Sequence, residues 1–372
     1  MSESTGTERP TVAVIGGGYA GYAAAKGLDE FADVTLVEPR DAFVHNVAAL
    51  RALVEPEWLE DIFLPYDHLL AHGRVLRERA VEVDAGRVVL SSGTVLTPDY
   101  VVLATGSTYP YPAKTGTDDT ILAIGRYRQS HEELARAERV LIAGAGPTGL
   151  ELAGEISSRW PEKQITILEP EPDILAGPYK QELRDEVRRQ LSERGVEFIL
   201  GESFTGEPES PPVTLGQFAA TTTAGRTIVA DIWFRCNGLR PVSDYLAGGL
   251  AGERTSDGWI EVNGKLQVEG QETVFAIGDV SSIDLKTAAR AGRQAELVVA
   301  NVRALAEGGE LTDYEAPPTA IVIPLGPDGG ASELPGADEI AGAETTSSIK
   351  GEHMFLDRYR ELFGLKEPAP AT

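Results

Sequence analysis

The sequence predicts an α/β fold in which two βαβ units of the same kind lie in one chain, followed by a smaller α+β segment. A short apolar strand that runs into a G-x-G-x-x-G turn occurs at Thr11–Gly21 and again at Arg139–Gly149. In both places a second strand follows and ends in an acid, Glu38 or Glu169. Strand, glycine turn, helix and strand-terminal acid form the fingerprint of a Rossmann-like dinucleotide-binding unit.

The spacing of these landmarks indicates an internal repeat. The offsets are 128 residues from Gly16 to Gly144, 131 from Glu38 to Glu169 and 132 from Gly106 to Gly238. Offsets this similar are difficult to obtain from unrelated glycine turns, so two units of one topology are predicted.

In the first unit, each glycine of the turn has its own task. Gly16 permits the tight turn, Gly18 lets the backbone approach a pyrophosphate, and Gly21 lets the helix pack closely on the strand. The helix N-terminus then offers free N–H groups to the anion. Glu38 follows 22 residues after Gly16, near the spacing of about 20 residues for a carboxylate that accepts ribose hydroxyls.

Three segments continue the first unit. Residues 40–55 predict a loop and then a helix, with His45 near its start either as a cap or packing residue or beside a cofactor. Residues 74–97 alternate apolar and polar side chains, which predicts a small antiparallel ribbon. Tyr100–Gly106 predicts a buried strand that stops at a glycine, where backbone can approach a ligand.

The second unit repeats the pattern, and the chain then returns to the first. The strand at 232–234 continues to Asn237 and Gly238, whereas the strand that ends at Asp279 supplies the further strand that the first unit needs. The predicted domains are therefore 1–115 with 255–305, 116–254, and a C-terminal domain at 306–372. The amphipathic helix around 355–363 can pack on a core, a partner subunit or an acceptor site.

Composition narrows the function classes. The chain has 372 residues and a net charge of −25, which argues against nucleic acid and anionic lipid as partners. Cys236 is the single cysteine, so an intrachain disulfide, a cysteine-based metal cluster and a redox-active cysteine pair are excluded, and no metal site is predicted. The N-terminus carries no secretory or myristoylation pattern, so the predicted location is the cytoplasm, with any membrane contact peripheral and on the inner face.

Several motifs together carry a family resemblance: the first GGGxxG, DAFVHNVAALRA, VVLATGSTYP, the second glycine turn, WPEKQITIL, LQVEG and VFAIGD. They resemble the apoptosis-inducing-factor-like flavoproteins, in particular the ferroptosis-suppressor branch, which is similar to type II NADH:quinone dehydrogenases. The resemblance covers residues 10–305 strongly. It implies a two-dinucleotide-binding-domain flavoprotein with FAD in the first unit, a nicotinamide dinucleotide in the second, and electron transfer onward to a quinone or a similar small acceptor.

The resemblance also implies roles for individual residues. The residues implied at the FAD site are Gly16, Gly18, Gly21, Glu38, Arg40, Ala104, Thr105, Gly106, Asp279 and Lys286. Those implied at the NADH site are Gly144, Gly146, Gly149, Glu169, Asn237 and Gly238. The implied catalytic residues are Glu151, His45, Lys286 and Arg51. Glu155 shares a helix face with Glu151, so the choice between the two stays open, and Arg51 or His45 is the expected counter-ion.

Departures from related families refine the hypothesis. The missing cysteine pair excludes a disulfide relay. Glu169 favours NADH over NADPH, because a carboxylate accepts ribose hydroxyls and repels a 2′-phosphate. Two alternatives remain: a ferredoxin or rubredoxin reductase, which the net acidity disfavours for an acidic ferredoxin, and an NADH-binding redox sensor with slow turnover. The assembly, including a homodimer, stays open.

Overall fold

The structure, a computed structural model, describes residues 9–365. The predictions on the N-terminal segment before residue 9 lie outside the described residues. The first part of the chain forms β1 Thr11–Ile15, α1 Tyr19–Leu28, β2 Asp33–Val37, β3 Ala42–Val44, α2 Ala49–Val54, β4 Phe63–Pro65, β5 Arg74–Leu76, β6 Ala80–Asp84, β7 Arg87–Leu90, β8 Val95–Leu96, β9 Tyr100–Leu103 and β10 Ser107–Thr108.

The middle and final parts follow. The middle part forms α3 Thr120–Arg136, β11 Arg139–Ala143, α4 Pro147–Arg159, β12 Gln164–Glu169, α5 Gln181–Glu193, β13 Glu197–Leu200, β14 Phe218–Thr221, β15 Thr227–Ala230, β16 Ile232–Arg235 and β17 Arg240–Pro241. The final part forms β18 Val274–Ala276, α6 Ala288–Glu307, β19 Ile321–Leu325, β20 Gly329–Glu333, α7 Ala343–Thr346 and α8 Leu356–Leu362.

The first unit is built on a parallel sheet with the strand order β18-β9-β1-β2-β5. Ile15 at the end of β1 lies opposite Val37 of β2 and Leu103 of β9. Because the carboxyl ends of parallel strands meet at one edge, the turn after β1, the acid after β2 and the glycine after β9 come together there. β18 pairs with β9, so the predicted return of the chain to the first unit is confirmed.

The second unit has the parallel order β13-β12-β11-β16. Ala143 at the end of β11 lies opposite Leu168 of β12 and Arg235 of β16. The second glycine turn, Glu169 and the Asn237–Gly238 pair are thus brought to one edge in the same way, which confirms the predicted α/β architecture of two matching units. The short antiparallel pair of β10 with β17 joins the two units.

Two local predictions were wrong. Arg74–Leu76 belongs to the parallel sheet rather than to the antiparallel ribbon, because Val75 pairs beside Leu36 of β2; β6, β7 and β8 alone form the ribbon. The predicted loop after Glu38 contains β3, in which the buried Phe43 pairs with Leu64 of β4. The division into 1–115 with 255–305, 116–254 and 306–372 stays a prediction.

The C-terminal segment packs on both units. The β19–β20 hairpin lies against α4 so closely that a Cβ at Gly154 would be 2.4 Å from the Cα of Leu325. Further along, Tyr359 and Phe363 stack on Phe43 of the first unit, with ring centroids 5.9 and 4.9 Å apart. This segment therefore holds the two units together from one side.

Candidate functional site

The first glycine turn has two glycines that the backbone requires and one that it does not. Gly16 has a φ of 98°, and a Cβ at Gly21 would lie 1.7 Å from the Gly16 carbonyl oxygen. Gly18 caps α1 with an ordinary φ of −69°, and a Cβ there would meet no atom within 4 Å. Neither strain nor packing explains Gly18, so its missing side chain leaves the N-terminus of α1 uncovered for a ligand.

The second turn has the same construction. Gly144 has a φ of 118°, and a Cβ at Gly149 would lie 2.0 Å from the Gly144 carbonyl oxygen. Gly146 caps α4 with a φ of −74° and has open space at its Cβ position. Gly238, after β16, also has open space and a left-handed φ of 93°. Both turns thus present an open helix N-terminus at the edge of a parallel sheet.

The two strand-terminal acids are held in place by backbone N–H groups. Glu38 is buried and accepts from the N–H of Gly17 at 2.6 Å and from Arg40 Nε at 2.8 Å. Burial alone would raise the pKa of Glu38, but the Arg40 guanidinium and these N–H groups lower it below its ordinary value. Glu169 accepts from the N–H of Ala145 at 2.6 Å and from that of Glu171 at 3.1 Å.

A cleft runs from Glu38 toward the second unit. A cavity of about 500 Å³ lies beside Gly16 and Glu38. A second cavity, of about 340 Å³ and called the central cavity below, lies between the two units. The two share Arg40, Thr105 and Lys114 in their walls. Among the residues that the sequence singled out, the central cavity is lined by Gly18, Arg40, Ala104, Thr105, Gly106, Glu151, Asp279 and Lys286.

Asp279 lies in the wall of the central cavity with a cation that the sequence did not single out. Its Oδ2 accepts from Ser107 Oγ at 2.6 Å and lies 3.7 Å from Lys114 Nζ. Burial lowers the pKa of Lys114, while Asp279 opposes that shift. Lys114 follows the strand that stops at Gly106, and this position after a ligand-side strand end was the signal available in the sequence.

Lys286 lines the same cavity, but its ammonium group is held by the protein. Nζ donates to the carbonyl of Ile283 at 3.1 Å and also to that of Ser281. It also lies 4.7 Å from the centre of the Trp259 ring, within cation–π range. Burial lowers the pKa of Lys286.

The structure separates the two glutamates of α4. Glu151 lines the central cavity and accepts from Lys350 Nζ at 2.8 Å. Glu155 is buried and pairs with Arg51, whose Nε lies 2.6 Å from Oε2. The expected counter-ion Arg51 is thus confirmed for Glu155. Glu151 instead contacts Lys350, a partner that the sequence did not single out. Burial raises the pKa of Glu151, although Lys350 opposes that shift.

Two of the residues implied as catalytic lie behind the cavity wall. Arg51 is buried with Glu155 and also donates to the carbonyl of Gly351 at 3.0 Å. His45 is 0 % exposed, lies 3.1 Å from the Tyr19 hydroxyl through Nδ1, and lies 2.7 Å from the carbonyl of Met354 through Nε2. Burial lowers the pKa of His45 to about 4. Neither side chain is in the wall of the central cavity.

Cys236 is unsuited to thiol chemistry at this site. It is buried at the end of β16, and burial raises the pKa of its thiol to about 12. A thiol in this state is a poor nucleophile. Within residues 9–365, no group of three or more His, Cys, Asp or Glu side chains is arranged to hold a metal ion.

Comparison with known proteins fits this geometry. The family model described as pyridine nucleotide-disulphide oxidoreductase matches residues 10–295. The chain belongs to this family. It is 30 % identical to apoptosis-inducing factor homolog B of Dictyostelium discoideum, over 98 % of this chain and 99 % of that protein. It is 32 % identical to ferroptosis suppressor protein 1 of Taeniopygia guttata, over 96 % and 97 %.

A solved structure has the same fold. The sulfide:quinone oxidoreductase from Aquifex aeolicus superposes with a TM-score of 0.75 at 18 % identity, over 97 % of this chain and 93 % of that one. The chain is thus an oxidoreductase that uses FAD and a nicotinamide dinucleotide with a small-molecule acceptor, as the sequence predicted. In the part of the chain that the structure describes, each helix is too short or too polar to cross a bilayer.

Proposed function

We propose that the protein is an FAD-dependent NADH:quinone oxidoreductase, with FAD on the first unit and NADH on the second. The observation that carries the proposal is the pair of open helix N-termini after Gly18 and Gly146. The central cavity lies between the two units, lined by Gly18 on one side and by Pro147 and Thr148 at the start of α4 on the other. An acid at the end of the next strand, Glu38 or Glu169, contacts the backbone of each turn, so each unit offers groups for a diphosphate and for an adenosine ribose.

The first unit fits FAD because its cleft is long and continuous. One end holds Glu38, which suits ribose hydroxyls, and the other end opens into the central cavity, where a flavin ring would face the second unit. Arg40 and Lys114 place positive charge along the wall, which suits a diphosphate. The residues proposed to hold FAD are Gly16, Gly18, Gly21, Glu38, Arg40, Ala104, Thr105, Gly106, Asp279 and Lys286.

The second unit fits NADH rather than NADPH. Glu169 lies where the adenosine ribose hydroxyls would bind. Two residues after it the second unit has Glu171, whereas the first unit has Arg40 two residues after Glu38. Two carboxylates at this position oppose a 2′-phosphate by charge repulsion. The residues proposed to hold NADH are Gly144, Gly146, Gly149, Glu169, Asn237 and Gly238.

The pair of Glu151 and Lys350 is proposed to supply the second proton that quinone reduction requires. When bound, FAD supplies the two-electron chemistry between the nicotinamide and the acceptor. Reduction of a quinone to a quinol takes two electrons and two protons, whereas NADH brings two electrons and one proton. The second proton must come from the protein or water, and the Lys350 ammonium beside Glu151 is a donor in the cavity wall. His45, sealed between Tyr19 and Met354, has no contact with the cavity.

A small apolar acceptor suits the remaining walls. Val47, Leu50, Ala113 and Leu239 line the central cavity, which favours a quinone over a disulfide, a substrate that the single buried cysteine could not relay. An iron–sulfur protein would have to approach a surface with net charge −25, which disfavours an acidic ferredoxin. A slow-turnover NADH sensor is the second candidate, because the same cavity would protect reduced cofactor from solvent.

The proposal includes the cellular location of the protein. The acidic surface and the single buried cysteine support a cytoplasmic location with at most peripheral contact at the inner face of the membrane. Tyr359 of α8 and Phe363, which directly follows it, are buried in the first unit, so these side chains support neither membrane insertion nor a homodimer.

Steady-state kinetics test the proposal. NADH oxidation by the FAD-loaded protein is measured with a short-chain soluble quinone, with a ferredoxin and with neither. Of the three reactions, the proposal expects saturable turnover only in the one that contains quinone. It also expects a higher kcat/KM for NADH than for NADPH. Equal rates in all three reactions would remove the quinone from the proposal.

A further inference from the structure

A buried network holds the loop that brings Lys286 to the central cavity. Asp284 and Arg290 form an ion pair of 2.8 Å, with side chains only 7 % and 8 % exposed. Tyr314 donates its hydroxyl to the same carboxylate oxygen at 2.6 Å. Arg290 also donates through Nη2 to the carbonyl of Pro318 at 3.1 Å. The network therefore ties the start of α6 to the segment that leads from α6 to β19.

The loop backbone depends on this network. Asp284 has a φ of 65°, a left-handed conformation that is uncommon for residues other than glycine. Its second carboxylate oxygen accepts the N–H of Leu285 at 2.7 Å. At the other end of the loop, Thr287 Oγ1 accepts the N–H of Arg290 at 3.2 Å. Such a backbone persists only where its surroundings determine it.

The network encloses cavity residues without reaching the cavity itself. Lys286, Thr287 and Ala288 line the central cavity and lie between Asp284 and Arg290 in the chain, whereas Asp284 and Arg290 are not in its wall. A shift of either end of the loop would move Lys286 relative to anything bound there. Displacements of about 1 Å in an active site are costly to catalysis.

We infer that Arg290 and Asp284 are positioning residues that fix Lys286 in the central cavity, an inference that rests on the proposed function. They act on a bound flavin through Lys286, which lies between them in the chain. The arrangement predicts that removing the ion pair and removing the Lys286 ammonium have the same effect, since both act through one group.

The test is a mutant cycle on the FAD-loaded protein. The variant D284N/R290L removes both charges together, so no unpaired buried charge is left, and asparagine accepts the left-handed backbone. It is compared with Lys286→Met and with the triple variant. The measurements are the visible absorption spectrum of bound FAD, the kcat with NADH and a soluble quinone, and the melting temperature.

The inference expects D284N/R290L to shift the flavin spectrum in the same direction as Lys286→Met and to lower kcat at least about tenfold. The triple variant should be no worse than Lys286→Met alone, because coupled residues are not additive. If D284N/R290L fails to retain FAD, Arg290→Lys takes its place, since lysine keeps the ion pair and loses the second donor to Pro318.

The matched control is R139L/D231N, which removes an ion pair of the second unit and should lower the melting temperature without changing spectrum or kcat. The inference is overturned if D284N/R290L behaves like this control. It is also overturned if the loss of kcat in the triple variant equals the product of the losses in D284N/R290L and Lys286→Met. A further outcome is that the wild type fails to reduce quinone while D284N/R290L, Lys286→Met and the triple variant still show the expected shifts in the flavin spectrum. In that case the positioning role is supported and the assignment of quinone as the acceptor fails.

Discussion

Two glycines at matching positions separate the two nucleotide sites. Gly18 and Gly146 cap α1 and α4 with φ values of −69° and −74°, which any L-residue can adopt, and a Cβ at either would meet no atom within 4 Å. Valine at either position should therefore leave the fold intact. It would, however, cover the helix N-terminus that we assign to a diphosphate.

The expected size of the effect follows from the contacts that would be blocked. A hydrogen bond to a charged group contributes about 1.5–3 kcal/mol. Blocking two of them weakens binding by about 3–6 kcal/mol, or roughly 10²–10⁴-fold. Gly146→Val should thus retain FAD and raise the NADH dissociation constant at least about a hundredfold, whereas Gly18→Val should yield a folded protein without flavin.

The assay combines the flavin content of the purified protein, the NADH dependence of flavin reduction and the melting temperature. Gly149→Val is the contrasting variant, because its Cβ would lie 2.0 Å from the Gly144 carbonyl oxygen and should prevent folding. Loss of FAD in Gly146→Val would show that the two units are assigned the wrong way round. Unchanged NADH binding in that variant would refute the assignment of the second turn.

Further predictions concern single side chains. Glu169→Ser should lower the ratio of kcat/KM for NADH to that for NADPH by about tenfold or more; an unchanged ratio would contradict the role of the acid. Lys350→Met should retain FAD and lower the kcat of quinone reduction by about 10²-fold, measured by steady-state kinetics; an unchanged kcat would contradict the role of Lys350 as proton donor. Arg51→Leu leaves Glu155 buried and unpaired, so urea unfolding should show a loss of about 3–5 kcal/mol. His45 is neutral when buried, with its pKa lowered from 6.5 to about 4, so stability should fall as pH drops below 6.5, by about 2 kcal/mol at pH 5; His45→Gln should flatten this slope, and an unchanged slope would place the titration elsewhere.

The features that sequence predicted are those fixed by local spacing. A strand, a glycine turn and an acid lie within one βαβ unit, and the sheet edge brings them together whatever the rest of the chain does. Glu38 and Glu169 therefore lie at their sheet edges as expected. The repeat also predicted that β18 belongs to the first unit, since the second unit already has a further strand of its own.

The features that sequence missed depend on contacts between distant segments. Glu151 and Lys350 are 199 residues apart, and the side of α4 that each glutamate faces is decided by packing against α2 and the C-terminal segment. His45 was left open between packing and cofactor contact because burial is a tertiary property, and the C-terminal segment that covers it carries no local signal. β5 joined the parallel sheet for the same reason, through its pairing with β2.

The most direct test of the proposed function is an anaerobic stopped-flow experiment in two mixing steps. The FAD-loaded protein is first mixed with NADH and then with a soluble short-chain quinone while the flavin absorbance is followed. Fast bleaching followed by fast recovery with quinone is the predicted result. Bleaching that persists after the quinone is added, with long-wavelength charge-transfer absorbance, would contradict it and favour an NADH sensor or a protein acceptor.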